Sequence, residues 1–110
     1  MNATRHLIRD RFGDRFLPEK PRYYKNKAKN AQEAHEAIRP TDPKRMPSEI
    51  AFALDEDEKK LYDLIWKRTI ASQMAAARME RTTAVIDNAD GTAGLRATGT
   101  VMMFDGFLKL

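Results

Sequence analysis

The chain has 110 residues, 42% of them apolar and 33% charged, and no cysteine. This suffices for one small core and excludes a disulfide framework or thiolate metal site; no apolar run reaches membrane-spanning length, and residues 1–11 carry no signal-peptide pattern. The net charge of +4 is uneven: residues 1–48 hold 12 Lys and Arg against 6 Asp and Glu, residues 49–110 hold 8 against 10, so the basic first half is the one expected to face phosphates.

Residues 3–12 read as a helix with Leu7, Ile8 and Phe12 on one side and Gly13 as its stop. The pattern starts abruptly and the last strand stops unfinished, so the sequence is expected to be a piece of a longer polypeptide. Phe16 to Pro21 should be extended, because Pro18 and Pro21 block a helix. The tract Lys20 to Lys29 has five cations, Lys20, Arg22, Lys25, Lys27 and Lys29, no acid, and the adjacent rings of Tyr23 and Tyr24. Cations interleaved with rings suit single-stranded nucleic acid, where charges follow phosphates and rings stack on bases. A solvated basic loop with one tyrosine in the core is the competing explanation.

The run Asn30-Ala-Gln-Glu-Ala-His35-Glu-Ala-Ile-Arg39-Pro-Thr41 holds one of two histidines. Asn30 and Glu33 have capping-box spacing, and Pro40 should end the helix near Ile38 or Arg39. His35 and Arg39, four apart, would share its polar face with Gln32 and Glu36, opposite Ala34, Ala37 and Ile38. Such a pair can grip an anion with one fixed cation and one imidazole that protonates near neutrality. Residue types alone favour a capped, solvated surface helix, since surface charge pairs are common and weak.

Thr41 to Pro47 reads as a loop, and Ser48 as the cap of a short helix through Leu54 that offers Ile50, Phe52 and Leu54. Asp55, three before Glu58, should cap a long helix over Glu56 to Ala77. One seam on it is Leu61, Leu64 and Ile65; the other is Tyr62, Trp66, Ile70 and Met74 at four-residue steps, with Trp66 a core residue. Asp55-Glu-Asp-Glu58 is a carboxylate run better explained by the helix dipole than by a metal. Thr82 to Asp87 is strand-like, Asn88 to Gly91 a turn, and Leu95 to Phe104 a second strand with a bend at Gly99. Asp105-Gly106 signals a hairpin into a third strand at Phe107 to Leu110. The fold class is therefore α+β: a mainly helical first two-thirds, then a partial antiparallel sheet.

The run Gln32 to Thr41 closely resembles a signature of bacterial type IA DNA topoisomerases. So do Leu17-Pro-Glu-Lys-Pro-Arg-Tyr-Tyr-Lys25, Leu61-Tyr-Asp-Leu-Ile-Trp66 with Ala71-Ser-Gln-Met74, and Gly99 to Phe107. Glu36 and Arg39 are closer to the topoisomerase I branch than to topoisomerase III, with reverse gyrase as the alternative branch. The resemblance implies a toroidal multidomain enzyme that cuts one DNA strand with a tyrosine, forms a 5′-phosphotyrosyl bond, passes a strand and reseals. Residues 1–80 would be the later part of the tyrosine-bearing domain and 81–110 the first strands of the adjoining arch. His35 matches the family histidine that touches the phosphate near the scissile bond, and Arg39 the arginine of the same signature, with a supporting or DNA-contacting role. Arg22, Tyr23, Tyr24, Lys25, Lys27 and Lys29 would add DNA contacts. Magnesium would be held by acidic residues of a separate domain, and no cofactor is expected on this chain.

The family nucleophile sits in a Tyr-x-Arg context, and Tyr23, Tyr24 and Tyr62 all lack it. The chain alone is thus expected to be inactive, with DNA, above all single-stranded, and the remaining enzyme domains as partners, in the bacterial cytoplasm. A stand-alone single-strand-binding module and a helical protein-interaction domain are the alternatives.

Overall fold

The computed structural model describes residues 1–25 and 36–110. In chain order it contains α1 (Asn2–Phe12), a 3-10 turn, α2 (Pro47–Ile50), a second 3-10 turn, α3 (Glu56–Ser72), β1 (Arg78–Asp87), β2 (Gly94–Phe104) and a final 3-10 turn at Gly106–Lys109. This is the α+β arrangement expected, helices first and a two-stranded antiparallel sheet after.

Helix α1 ends at Gly13, whose φ of +99° suits a residue without a side chain. It lays Leu7 and Ile8 against Trp66 and Ile70 of α3 and against Met74 beyond its end, and these five form the buried core. The second seam of α3 is therefore the packed one, with Trp66 only 4% exposed. Leu61 and Leu64 of the other seam stay exposed. Two polar handles fasten the Thr41–Pro47 loop to the same helix. The Trp66 indole N–H donates to the Pro43 carbonyl at 2.8 Å, and the Tyr62 hydroxyl donates to the Arg45 carbonyl at 2.6 Å.

Helix α3 starts as its sequence asks: Asp55 Oδ1 accepts from the Glu58 backbone N–H at 2.8 Å. That bond holds the Asp55 carboxyl below its usual range, while its proximity raises Glu58. The helix stops at Ser72, five residues before the expected Ala77. Tertiary bonds outweigh the alanine propensity: the Ala75 N–H donates to the Phe16 carbonyl at 2.7 Å, and the Ala75 carbonyl accepts from Phe107 N–H at 3.0 Å. α2 is capped from Met46, two residues earlier than the Ser48 reading, because Pro47 can open a helix where no N–H is needed. Of the three residues expected to supply apolar surface there, Phe52 is exposed and Ile50 and Leu54 half-buried.

The strands pair from Asp87↔Gly94 to Arg78↔Phe104. Gly99 faces Thr82 within regular pairing, so the expected bend is not there; the irregularity lies between Arg78 and Met79. The expected third strand is also absent among the described residues. Gly106, at φ +51°, backs onto the chain after α3, where a Cβ would lie 2.6 Å from the Ala75 and Ala76 carbonyl oxygens. The chain turns there in a 3-10 helix, with the Phe104 ring tilted against Phe16 at 4.8 Å between centroids. A helical body and a protruding hairpin give a radius of gyration of 20.5 Å, against about 13 Å for a compact domain of this length. The accessible surface is 9206 Å², where roughly 6,200 Å² is usual for the mass.

Candidate nucleic-acid interface

The C-terminal half of α3 carries two stripes beside its buried seam. Arg68 and Ser72 are four apart, as are Thr69 and Gln73, so both pairs project to one side. Together with the start of α1, Tyr24 and the segment Ala37–Thr41, they enclose an open groove of about 710 Å³. Arg39 and Arg68 both line it, and no acidic side chain does so among the described residues. Two guanidiniums, one of them paired with the exposed Glu36 at the groove's edge, make a locally cationic surface suited to a phosphodiester.

The basic tract reaches this groove under restraint. The Gln73 carboxamide accepts from Arg22 N–H at 3.3 Å and donates to the Arg22 carbonyl at 3.0 Å. The Tyr24 hydroxyl donates to the Ser72 carbonyl at 2.8 Å, satisfying one of the carbonyls left free at the end of α3. The Tyr24 side chain is nevertheless 69% exposed overall. Tyr23 and Lys25 are exposed as well. Neither tyrosine is tucked into the core, so that part of the competing explanation is not met.

Arg39 donates to Glu36 Oε2 at 3.0 Å and both are solvent-facing. An exposed pair of this kind is weak and easily exchanged for another anion. Residues Glu36–Pro40 are not helical, which corrects the expected continuation of a helix to Ile38 or Arg39. Pro40 is buried and restricts the residue before it to extended geometry. Ile38, expected on an apolar helix face, is 83% exposed. His35, Lys27 and Lys29 lie outside the described residues, as does the expected cap at Asn30.

Tyr62 has a different chemistry. Burial pushes its phenol above the usual range, and its hydroxyl is committed to the Arg45 carbonyl. A phenol held protonated this way is a poor nucleophile. Among the described residues no three His, Asp or Glu side chains converge as metal ligands would, and Asp55 to Glu58 is a helix start. The donor set for magnesium is not found among them. No helix among them is long and apolar enough to cross a membrane.

Arg68 and Gln73 escape the sequence reading. Gln73 falls within a noted motif, but its partner is 51 residues away, and no local spacing signals that. Arg68 could have been found as a cation two residues from the buried Trp66–Ile70 seam, on its flank.

Known proteins resemble this chain over nearly all of its length. The DNA topoisomerase family profile matches residues 1–110. DNA topoisomerase 1 of Zymomonas mobilis is 52% identical over 98% of the chain, which spans 8% of that protein's length. The Rickettsia bellii enzyme of the same name is 48% identical over all of the chain, covering 14% of its length. Full-length topoisomerase I from Thermotoga maritima superposes with a TM-score of 0.80 at 37% identity, over 98% of this chain and 16% of that one. With a profile match from end to end and a matching fold, the chain belongs to the DNA topoisomerase family and corresponds to a part of bacterial type IA topoisomerase I.

Proposed function

We propose that this chain serves as the phosphate-contacting side of the strand-cleavage site in an intact topoisomerase I, without supplying the nucleophile. The observation that carries the reading is the groove that joins Arg39 of the signature, Arg68 of α3 and the tethered Tyr24, with no acidic residue lining it among the described residues. In the intact enzyme a tyrosine from elsewhere attacks a DNA phosphate and takes up the 5′-phosphoryl group as the P–O3′ bond breaks and a 3′-hydroxyl leaves; after a strand is passed, that hydroxyl attacks the phosphotyrosine and reseals the break, freeing the tyrosine and relaxing negative supercoils. Fixed cations beside the transferring phosphoryl group stabilise its developing charge. His35, by its match to the signature, assists at that phosphate. Arg22, Tyr23, Lys25, Lys27 and Lys29 hold the single strand leading to it. Residues 1–80 complete the tyrosine-bearing domain and 81–110 begin the arch. Magnesium, when bound by the acidic residues of another domain, neutralises phosphate charge. The enzyme works on DNA in the bacterial cytoplasm.

Plasmid relaxation and strand binding test this. The chain alone shows no turnover, whereas it binds a single strand with affinity falling steeply with salt, at a slope near −0.7 per phosphate contact. Relaxation by the chain alone refutes the missing-nucleophile reading, and flat, weak binding refutes the phosphate-contacting one. In the intact enzyme His35→Ala impairs cleavage more than folding; full relaxation by that variant removes His35 from the scheme.

A further inference from the structure

We propose that Gln73 is a positioning residue, whose carboxamide holds the Arg22–Lys25 tract at the edge of the α3 groove so that its cations and the Tyr24 ring meet a single strand already arranged. The proposal rests on the nucleic-acid reading above and deepens it. Gln73 is 9% exposed, and its side chain is used twice on one residue: Oε1 accepts from Arg22 N–H and Nε2 donates to the Arg22 carbonyl. This copies the two-bond exchange of an antiparallel strand pair, with an amide side chain in place of a second backbone. It fixes both position and direction of the backbone at Arg22.

One residue further along, Tyr23 is exposed; two further, the Tyr24 hydroxyl is tied to the Ser72 carbonyl. Both restraints therefore come from consecutive residues at the C-terminal end of α3. That helix is anchored in the core by Trp66 and Ile70, so the tract inherits the rigidity of the body. Without the bracket, a basic tract of this composition has to be ordered each time it binds, and ordering lowers affinity. Gln73 has no direct contact with phosphate to make in this scheme; it acts through Arg22 and its neighbours.

The test uses the 110-residue chain and a fluorescein-labelled oligothymidylate, with affinity read by anisotropy between about 50 and 200 mM salt. Gln73→Leu keeps every charge but removes both hydrogen bonds, and is expected to bind about tenfold more weakly. The salt slope should be preserved, since the same cations still release counterions. Gln73→Glu adds a readout that a general packing role does not produce. Its protonated acid can reproduce both bonds and its carboxylate only one. Its binding should approach that of the natural chain near about pH 5 and fall about tenfold behind near about pH 8, the buried site raising the carboxyl pKa. The Leu variant should stay equally weak at both pH values.

Circular dichroism shows whether each variant is folded. If Gln73→Leu unfolds, the Glu variant decides alone. Either folded variant matching the natural chain at about pH 8, while Lys25→Ala still weakens binding, overturns the role of Gln73 and leaves the nucleic-acid reading standing. If the natural chain itself shows no salt-dependent binding, that reading fails and this one with it.

Discussion

The helical body and the β1–β2 hairpin have similar proportions of apolar residues and use them to opposite ends. In the body, Leu7, Ile8, Trp66, Ile70 and Met74 are buried because two helices and a loop present facing surfaces. In the hairpin, Val85, Ile86, Leu95 and Val101 are exposed although their strands pair without interruption over most of their length. Backbone pairing satisfies N–H and C=O groups but removes little side-chain surface from water. A two-stranded sheet has no second layer to cover its faces, and alone it is marginal. Burial thus depends on a partner surface and not on the hydrophobicity of a segment.

Substitutions can break that contrast. The largest effect is expected at Trp66→Ala, which removes a core ring and the indole bond to Pro43; a loss of roughly 3–5 kcal/mol in urea or thermal unfolding follows. An unchanged Tm would show that Trp66 does not hold the body together. Gly106→Ala tests the joint between the two regions. Its positive φ alone costs a side-chain-bearing residue roughly 1–2 kcal/mol, and the new Cβ meets the Ala75 and Ala76 carbonyls. We expect a clear fall in Tm and loss of hydrogen-exchange protection at Phe107 N–H, which bonds Ala75. Wild-type protection in that variant would mean the joint is looser than drawn. The smallest effect belongs to Val85→Thr on the exposed hairpin, within about 0.5 kcal/mol of neutral. A large loss there would show the hairpin faces to be covered in solution.

The same contrast explains how far the sequence could be read. Helix α1, the start of α3, the apolar stripe through Trp66 and the strands apart from the first four residues of β1 follow from local signals: apolar spacing, an Asp55 cap and Gly13 as a stop. The misreadings fall where distant chain competes with local preference. Ala75 to Ala77 favour a helix, yet Ala75 is taken by Phe16 and Phe107. Asp105-Gly106 resembles a hairpin turn, yet Gly106 is needed as a close contact against Ala75.

For the interface the division is similar. The basic tract Arg22 to Lys29 and the His35–Arg39 run were visible as residue types and as a family resemblance. That Arg39 shares a groove with Arg68, and that Gln73 grips Arg22 from 51 residues away, could not be seen.

By itself, the order of residues determined which segments can be helix or strand, and where the cations lie, because those depend on neighbours within a turn or two. Only the tertiary structure decided where α3 ends, which of its two apolar seams is covered, and which polar side chains meet. Those outcomes depend on contacts between parts of the chain that have no fixed separation in sequence.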